Sequence, residues 1–155
     1  TIARELGTTQ GALKELTAHA PASCRPALPT QISLFRFPYG RCTPQSLAAA
    51  NAAGWTVIQW NVISGDPSRS ATAGEIANRV LRLAKPGAII VMHANGHGWR
   101  TAQAMPLILA GLAKKGLRTA TVSELLAAGD PVIARGCYGD RPGDLDHAPV
   151  PNISQ

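Results

Sequence analysis

Ala88-Ile89-Ile90-Val91-Met92 is an unbroken apolar run, with Pro86-Gly87 before it and His93 after it. A strand with water on one face alternates apolar and polar residues. A strand that is apolar at every position has both faces covered, which is the pattern of parallel sheets flanked by helices. Such a strand needs helices around it, and the neighbouring sequence provides them. Upstream, Thr72-Ala73-Gly74-Glu75 has the residues of a capping box, followed by an apolar stripe of Ile76, Val80, Leu83 and Ala84. Downstream, Met105, Ile108, Leu109 and Leu112 mark another helix, ended by Gly116.

The same alternation extends over most of the chain. Ile2, Leu6, Leu13 and Leu16 share one face of a first helix, and a proline-rich loop runs from Pro21 to Pro29. Ile32 to Phe37 reads as a strand stopped by Pro38 and Gly40. Thr43-Pro44 starts a helix with Thr as N-cap and Pro at the first helical position, and Gly54 ends it. Trp55 to Val62 is a second predicted strand, Ser64 to Ser70 a loop, and Leu117 to Val122 the last predicted strand. Ser123 to Leu126 is a short helix running to Gly129, and the segment from Asp130 is rich in proline and glycine. Strand and helix in alternation with short connections predict parallel βαβ units of right-handed sense. Four strands, at 32–37, 55–62, 88–92 and 117–122, are too few to close a barrel by themselves. The expected organisation is an α/β portion over 1–129 and a tail over 130–155.

Composition excludes several functional classes. With 45% hydrophobic and 15% charged residues the chain is globular rather than disordered, and no apolar run approaches the length of a membrane span. The net charge of +6 is dispersed, with no basic run interleaved with aromatics, so nucleic acid is not the expected partner. Diffuse positive charge fits solubility or weak attraction to anionic cell envelopes. The chain opens at Thr1 with no basic-then-apolar leader, as a mature exported protein or a fragment does. None of the three cysteines, Cys24, Cys42 and Cys137, has the CxxC spacing of a zinc ribbon or redox motif. Two of them can form a disulfide in an exported protein, or all three can serve as small apolar residues.

Each of the first three predicted strands ends in chemistry. The first ends at Arg36-Phe37-Pro38-Tyr39-Gly40, the second leads through Trp60 and Ser64 to Asp66, and the third ends at His93. Parallel β/α architectures place working residues just beyond strand C-termini. A carboxylate that holds an imidazole favours its protonated form, which suits a general acid, and an arginine keeps a neighbouring carboxylate ionised and oriented. Alone, each residue has a plain structural role: Arg36 as an ion pair, Asp66 as a turn residue before Pro67, His93 as a hydrogen-bonded strand end. All three at successive strand ends favour a site.

These segments, in this order, resemble the NodB-homology polysaccharide deacetylases of carbohydrate esterase family four. Arg36-Phe37-Pro38-Tyr39 is similar to the family's Arg-x-Pro-Tyr motif, Trp60 through Asp66 to its Trp-then-Asp motif, and Ile90-Val91-Met92-His93 to its apolar-apolar-His motif. Thr101 to Pro106 and Gly116 to Leu126 resemble the helix and strand that follow, so the match runs from about Thr1 to Leu126. The resemblance implies the C-terminal part of a distorted (β/α) barrel and metal-dependent removal of acetyl groups from N-acetylated polysaccharide. It implies that His93 is the general acid, that Asp66 pairs with His93 or Arg36, and that Arg36 holds the catalytic base. It places the Tyr39 backbone N–H in the oxyanion hole beside Pro38, with Trp60 and Met92 lining the acetyl pocket. It implies a divalent metal, zinc being the expected one. The metal would be bound through an Asp pair and a His-x-x-x-His motif on a missing N-terminal part of the domain or on a second chain. It also implies a glycan substrate and an extracytoplasmic location. Pro67 departs from the family, which usually has Trp there, so part of the pocket wall differs.

His93-Ala94-Asn95-Gly96-His97 has a His-x-x-x-His spacing of its own. On a helix that spacing presets two zinc ligands, but here it starts at a strand end, passes through Gly96 and has no third acidic ligand nearby. An acid role for His93 is the stronger reading, with His97 and Trp99 on a substrate-facing loop where Trp99 stacks on a sugar ring or covers the core. Two alternatives stand beside the enzyme: a non-catalytic glycan-binding half-domain without a metal site, and a metal-free serine hydrolase using Ser64, Asp66 and His93. The second lacks the G-x-S-x-G elbow around Ser64.

Overall fold

A computed structural model describes residues 2–23 and 33–139. Cys24, most of the proline-rich loop and the tail beyond residue 139 lie outside the described residues. The chain forms two compact units. The first comprises residues up to Gln59 together with Gly136–Gly139, and the second includes Trp60–Arg135.

In the first unit α1 (Ile2–His19) precedes β1 (Leu34–Phe35), a 3-10 turn at Pro38–Gly40, α2 (Pro44–Ala52) and β2 (Thr56–Val57). The strands are parallel, with Leu34 opposite Thr56 and Phe35 opposite Val57. Local chemistry sets α2 at both ends. The Thr43 hydroxyl accepts from the Ser46 amide at 3.1 Å and the Ser46 hydroxyl accepts from the Thr43 amide at 2.8 Å, which closes a capping box. At the other end Gly54 takes φ +79°, and the Gly54 and Trp55 amides donate to Asn51 and Ala50. This Schellman closure turns the chain into β2. Leu6, Phe37 and Ala50 form the buried core, with Phe35 edge-on to Phe37 at 4.9 Å. A disulfide joins Cys42 to Cys137, so the segment 136–139 is covalently part of this unit. The Gln59 side-chain amide donates to the Tyr138 carbonyl in the same segment.

The second unit runs β3 (Val62–Ile63), α3 (Ala73–Leu83), β4 (Ile90–Val91), α4 (Thr101–Lys114) and α5 (Val122–Ala127). β3 and β4 are parallel, with Val62 opposite Ile90 and Ile63 opposite Val91, so β3-α3-β4 is a βαβ unit. The capping box forms at Thr72: its amide and hydroxyl donate to Glu75 Oε2 at 2.8 Å each, and its oxygen accepts from the Glu75 amide. Ile76, Ala77 and Val80 of α3 pack with Ala104, Ile108 and Leu112 of α4, and Met92 and Leu117 lie against them. Lys115 Nζ donates to the Leu81 and Ala84 carbonyls, which places a cation on the exposed acceptors at the end of α3.

Several expectations need correction. The strand expected over 55–62 is two strands, β2 and β3, in different units. Between them Asn61 turns the chain: its side-chain oxygen accepts from the Ile89 amide, while the Asn61 and Val62 amides both donate to the Ile89 carbonyl. The strand expected over 117–122 is not a strand. Thr121 caps α5 instead, bonded reciprocally with Glu124, and capping outweighs the β propensity of Thr121 and Val122. The run 88–92 is half-buried rather than covered on both faces, because β4 has one hydrogen-bonded neighbour, β3, among the described residues. Leu83 is 46% exposed and Ala77 takes the buried position on α3.

Candidate active site

The loop after β3 brings Asp66 beneath the end of β4, where His93 leaves the strand. Asp66 is fully buried, at 0% exposure. A bare carboxylate at that depth is costly, so its oxygens need donors. Oδ1 accepts from the Ser64 hydroxyl at 2.8 Å and lies 2.9 Å from His93 Nδ1. Oδ2 accepts from the His93 amide at 2.7 Å and from the Thr101 hydroxyl at 2.5 Å. Four contacts satisfy the carboxylate's acceptor positions. Burial pushes the Asp66 carboxyl up, but the bonds from Thr101, from the His93 ring and amide and from Ser64 outweigh it, and its pKa is held below the ordinary value.

An ionised Asp66 can only accept, so His93 Nδ1 must carry the proton they share. That fixes the tautomer and leaves Nε2 for a reacting group. The His93 side chain is 35% exposed over a carboxylate that is wholly covered. Of the expected partners, Asp66 has taken His93. Arg36 belongs to the first unit, exposed just beyond β1.

The Ser64 geometry speaks against a serine nucleophile. Ser64 is 1% exposed, and its hydroxyl donates to the same Asp66 oxygen that His93 Nδ1 contacts. A nucleophilic serine gives its proton to the histidine; here both groups donate in parallel to one carboxylate oxygen.

The other expected residues divide between the units. In the first, Pro38 and Tyr39 are exposed in the 3-10 turn, and Tyr39 has φ +56°, the one positive φ outside glycine among the described residues. Such a backbone is uncommon for a tyrosine, and the turn is closed by the Gly40 and Arg41 amides, which donate to the Phe37 and Pro38 carbonyls. In the second, Trp60 is half-buried and Met92 packs against the helical core. His97 is exposed on the loop after β4, its amide donating to Asn95 Oδ1. Trp99 is 42% exposed, and the Arg69 guanidinium sits 4.3 Å from its ring centre, so Trp99 covers neither core cluster and one face carries a cation.

Thr101, Gly98 and Arg69 were not legible as site residues. Thr101 was visible only as part of a helix, and no spacing rule links it to Asp66. Among the described residues no three His, Cys, Asp or Glu gather as a metal-ligand set. Asp66 spends its acceptor positions on protein donors and so does not fit a metal ligand, while His93 keeps Nε2 open and would be a single ligand without partners among the described residues. A cleft of about 630 Å³ opens beside the loop after β3, lined by Ser64, Gly65, Ser68, Glu75, Arg79 and Arg82, and His93 is not on its wall. No helix among the described residues is long and apolar enough to cross a membrane.

No protein-family model matches the chain. Two curated proteins of Bacillus cereus, both peptidoglycan-N-acetylglucosamine deacetylases, are similar in sequence. One is 38% identical over 96 residues, 60% of this chain and 45% of the relative. The other is 29% identical over 119 residues, 76% of this chain and 39% of the relative. The chain therefore spans less than half the length of these relatives. Among solved structures, the Xyl-CE4 domain of a multidomain xylanase from the hindgut metagenome of Trinervitermes trinervoides superposes with a TM-score of 0.66 at 27% identity. That likeness covers 82% of this chain and 55% of the xylanase domain chain. A family 4 carbohydrate esterase from Streptomyces lividans, in complex with acetate, superposes with a TM-score of 0.60 at 29% identity, over 78% of this chain and 55% of the esterase.

Proposed function

We infer that this chain is the C-terminal portion of a NodB-type domain of carbohydrate esterase family four, and that the domain removes acetyl groups from an N-acetylated glycan of the cell envelope. The observation that carries this reading is the Asp66–His93 pair, in which a buried carboxylate contacts Nδ1 and leaves Nε2 to the substrate. Relatives named for peptidoglycan deacetylation and neighbours of family four support the substrate class. The whole domain would form the distorted barrel of the family and act outside the cytoplasm.

Hydrolysis of an amide stalls at the amine, a poor leaving group until it is protonated. In this reading the acid is the His93 imidazolium, with Nδ1–H on Asp66: Nε2–H gives its proton to the nitrogen as the C–N bond breaks, and the ring is left as neutral imidazole still bonded to Asp66 through Nδ1. The Tyr39 amide, held in its left-handed turn, would donate to the developing oxyanion. Trp60 and Met92 would enclose the acetyl methyl, and Arg36 would orient the base. On the family resemblance the base and the expected divalent metal belong to a missing part of the domain or to a second chain; among the described residues no ligand set gathers, and no step is derived through the metal.

The test is acetate release from N-acetylglucosamine oligomers by the whole protein that carries this chain, with and without His93→Ala. Loss of a general acid costs about 10²–10⁴-fold in turnover. A His93→Ala protein within threefold of the parent would remove the acid role. A whole protein that retains glycan but releases no acetate would replace the enzyme by a binding module.

A further inference from the structure

We propose that Thr101 is a positioning residue that holds the Asp66 carboxylate in the one orientation that fixes the His93 tautomer, a role that rests on the acid function assigned to His93 above. Thr101 opens α4, yet its hydroxyl does not serve the helix; it donates to Asp66 Oδ2 at 2.5 Å, across 35 residues of sequence. An aspartate carboxylate turns on a broad, two-fold torsion, so its orientation is set by its partners. Ser64 and the His93 ring contact Oδ1, while the His93 amide and Thr101 contact Oδ2. Without the Thr101 hydroxyl, Oδ2 keeps a single donor in a fully buried place, and the carboxylate gains freedom to rotate away from Nδ1.

The loop between His93 and Thr101 sets that hydroxyl in place. A side chain at Gly98 would collide with the His93 carbonyl oxygen and the Thr101 hydroxyl, so the loop folds back onto both of its own ends. The Gly98 amide donates to the Asn95 carbonyl at 2.9 Å, and the Thr101 amide reaches the Gly98 carbonyl at 3.5 Å. Thr101 is β-branched, which restricts χ1 and holds the hydroxyl on course. Its hydroxyl is bonded to Asp66 and not to the His93 ring, so it acts through the carboxylate.

The experiment is nitrogen-15 NMR of the His93 ring in the chain itself, which needs neither substrate nor metal and is therefore independent of whether the domain is a deacetylase. The parent chain is expected to show one tautomer with a protected Nδ1 proton. Thr101→Val should mix the tautomers and speed exchange of that proton on the order of tenfold, with the backbone amide spectrum otherwise kept. Thr101→Ser should return both readouts to within about twofold of the parent. Identical ring signals in parent and Thr101→Val, or failure of Thr101→Ser to restore them, would overturn the proposal. Should Thr101→Val not fold, the Thr101 hydroxyl proton of the parent decides: slow exchange with a contact to the His93 amide supports the assignment, and exchange at the bulk rate overturns it.

Discussion

His93 grips Asp66 twice: its ring Nδ1 lies 2.9 Å from Oδ1 and its amide lies 2.7 Å from Oδ2. Backbone and side chain of one residue thus read both oxygens of one carboxylate. The end of β4 and the orientation of the imidazole are thereby set together.

Asp66→Asn keeps the shape but replaces an acceptor oxygen with a donor that faces donors. Breaking a buried pair from one side costs about 3–5 kcal/mol. Urea unfolding of the second unit should register a loss of that order, and the His93 ring should change tautomer. A stability change under about 0.5 kcal/mol would show that the network contributes little.

The pH dependence has a definite sign. Asp66 has a folded pKa below its ordinary 3.8, so its stabilising contribution is complete above that value. The contribution falls away as pH drops through the lower, folded value. Glu75 and Glu124, each lowered first by the backbone bond of its capping threonine, act in the same direction. Equilibrium unfolding followed from pH 6 to about pH 2 should therefore weaken mainly below about pH 4, and Asp66→Asn should flatten that slope. An unchanged slope in the variant would place the acid sensitivity elsewhere.

The Cys42–Cys137 disulfide closes a loop with a sequence separation of 95. On the chain-entropy account a loop of that length stabilises by about 4–5 kcal/mol. Reduction, or Cys42→Ser, should lower the unfolding midpoint and free the segment 136–139. A non-reducing peptide map should recover Cys42 linked to Cys137. Recovery of both as free thiols from oxidised protein would contradict the pairing.

Gly98→Ala should be poorly tolerated, because its methyl group would run into the His93 carbonyl oxygen and the Thr101 hydroxyl. Overpacking of this kind costs about 1–3 kcal/mol. In the whole protein the variant should lose turnover more than substrate affinity. Gly96→Ala, with open space around it, is the matched control and should leave both stability and turnover near the parent.

Much of this was visible along the chain. Thr43 with Pro44, Thr72 with Glu75, and the apolar run after Pro86-Gly87 are local signals, and local hydrogen bonding and periodicity made the elements they announced. Asp66 and His93 were recognisable because each lies just beyond a strand. Signals failed where another interaction, local in one case and long-range in the other, overrode the strand preference. Leu117 to Val122 has strand-forming residues, but the reciprocal Thr121–Glu124 bonds started a helix within it. Trp55 to Val62 reads as one strand, but Asn61 bonded to Ile89 and divided it.

The sequence by itself determined the main helices with the caps at Thr43 and Thr72, the parallel β/α character and the residue types at the strand ends, because these follow from patterns within a few residues. Only the tertiary structure decided which donors Asp66 would collect, that Cys137 would pair with Cys42, and that Gly98 must have no side chain. The His93 and Thr101 bonds to Asp66 and the disulfide join residues 27 to 95 positions apart. Contacts at such separations have no spacing signature, and packing alone selects among the partners that chemistry permits.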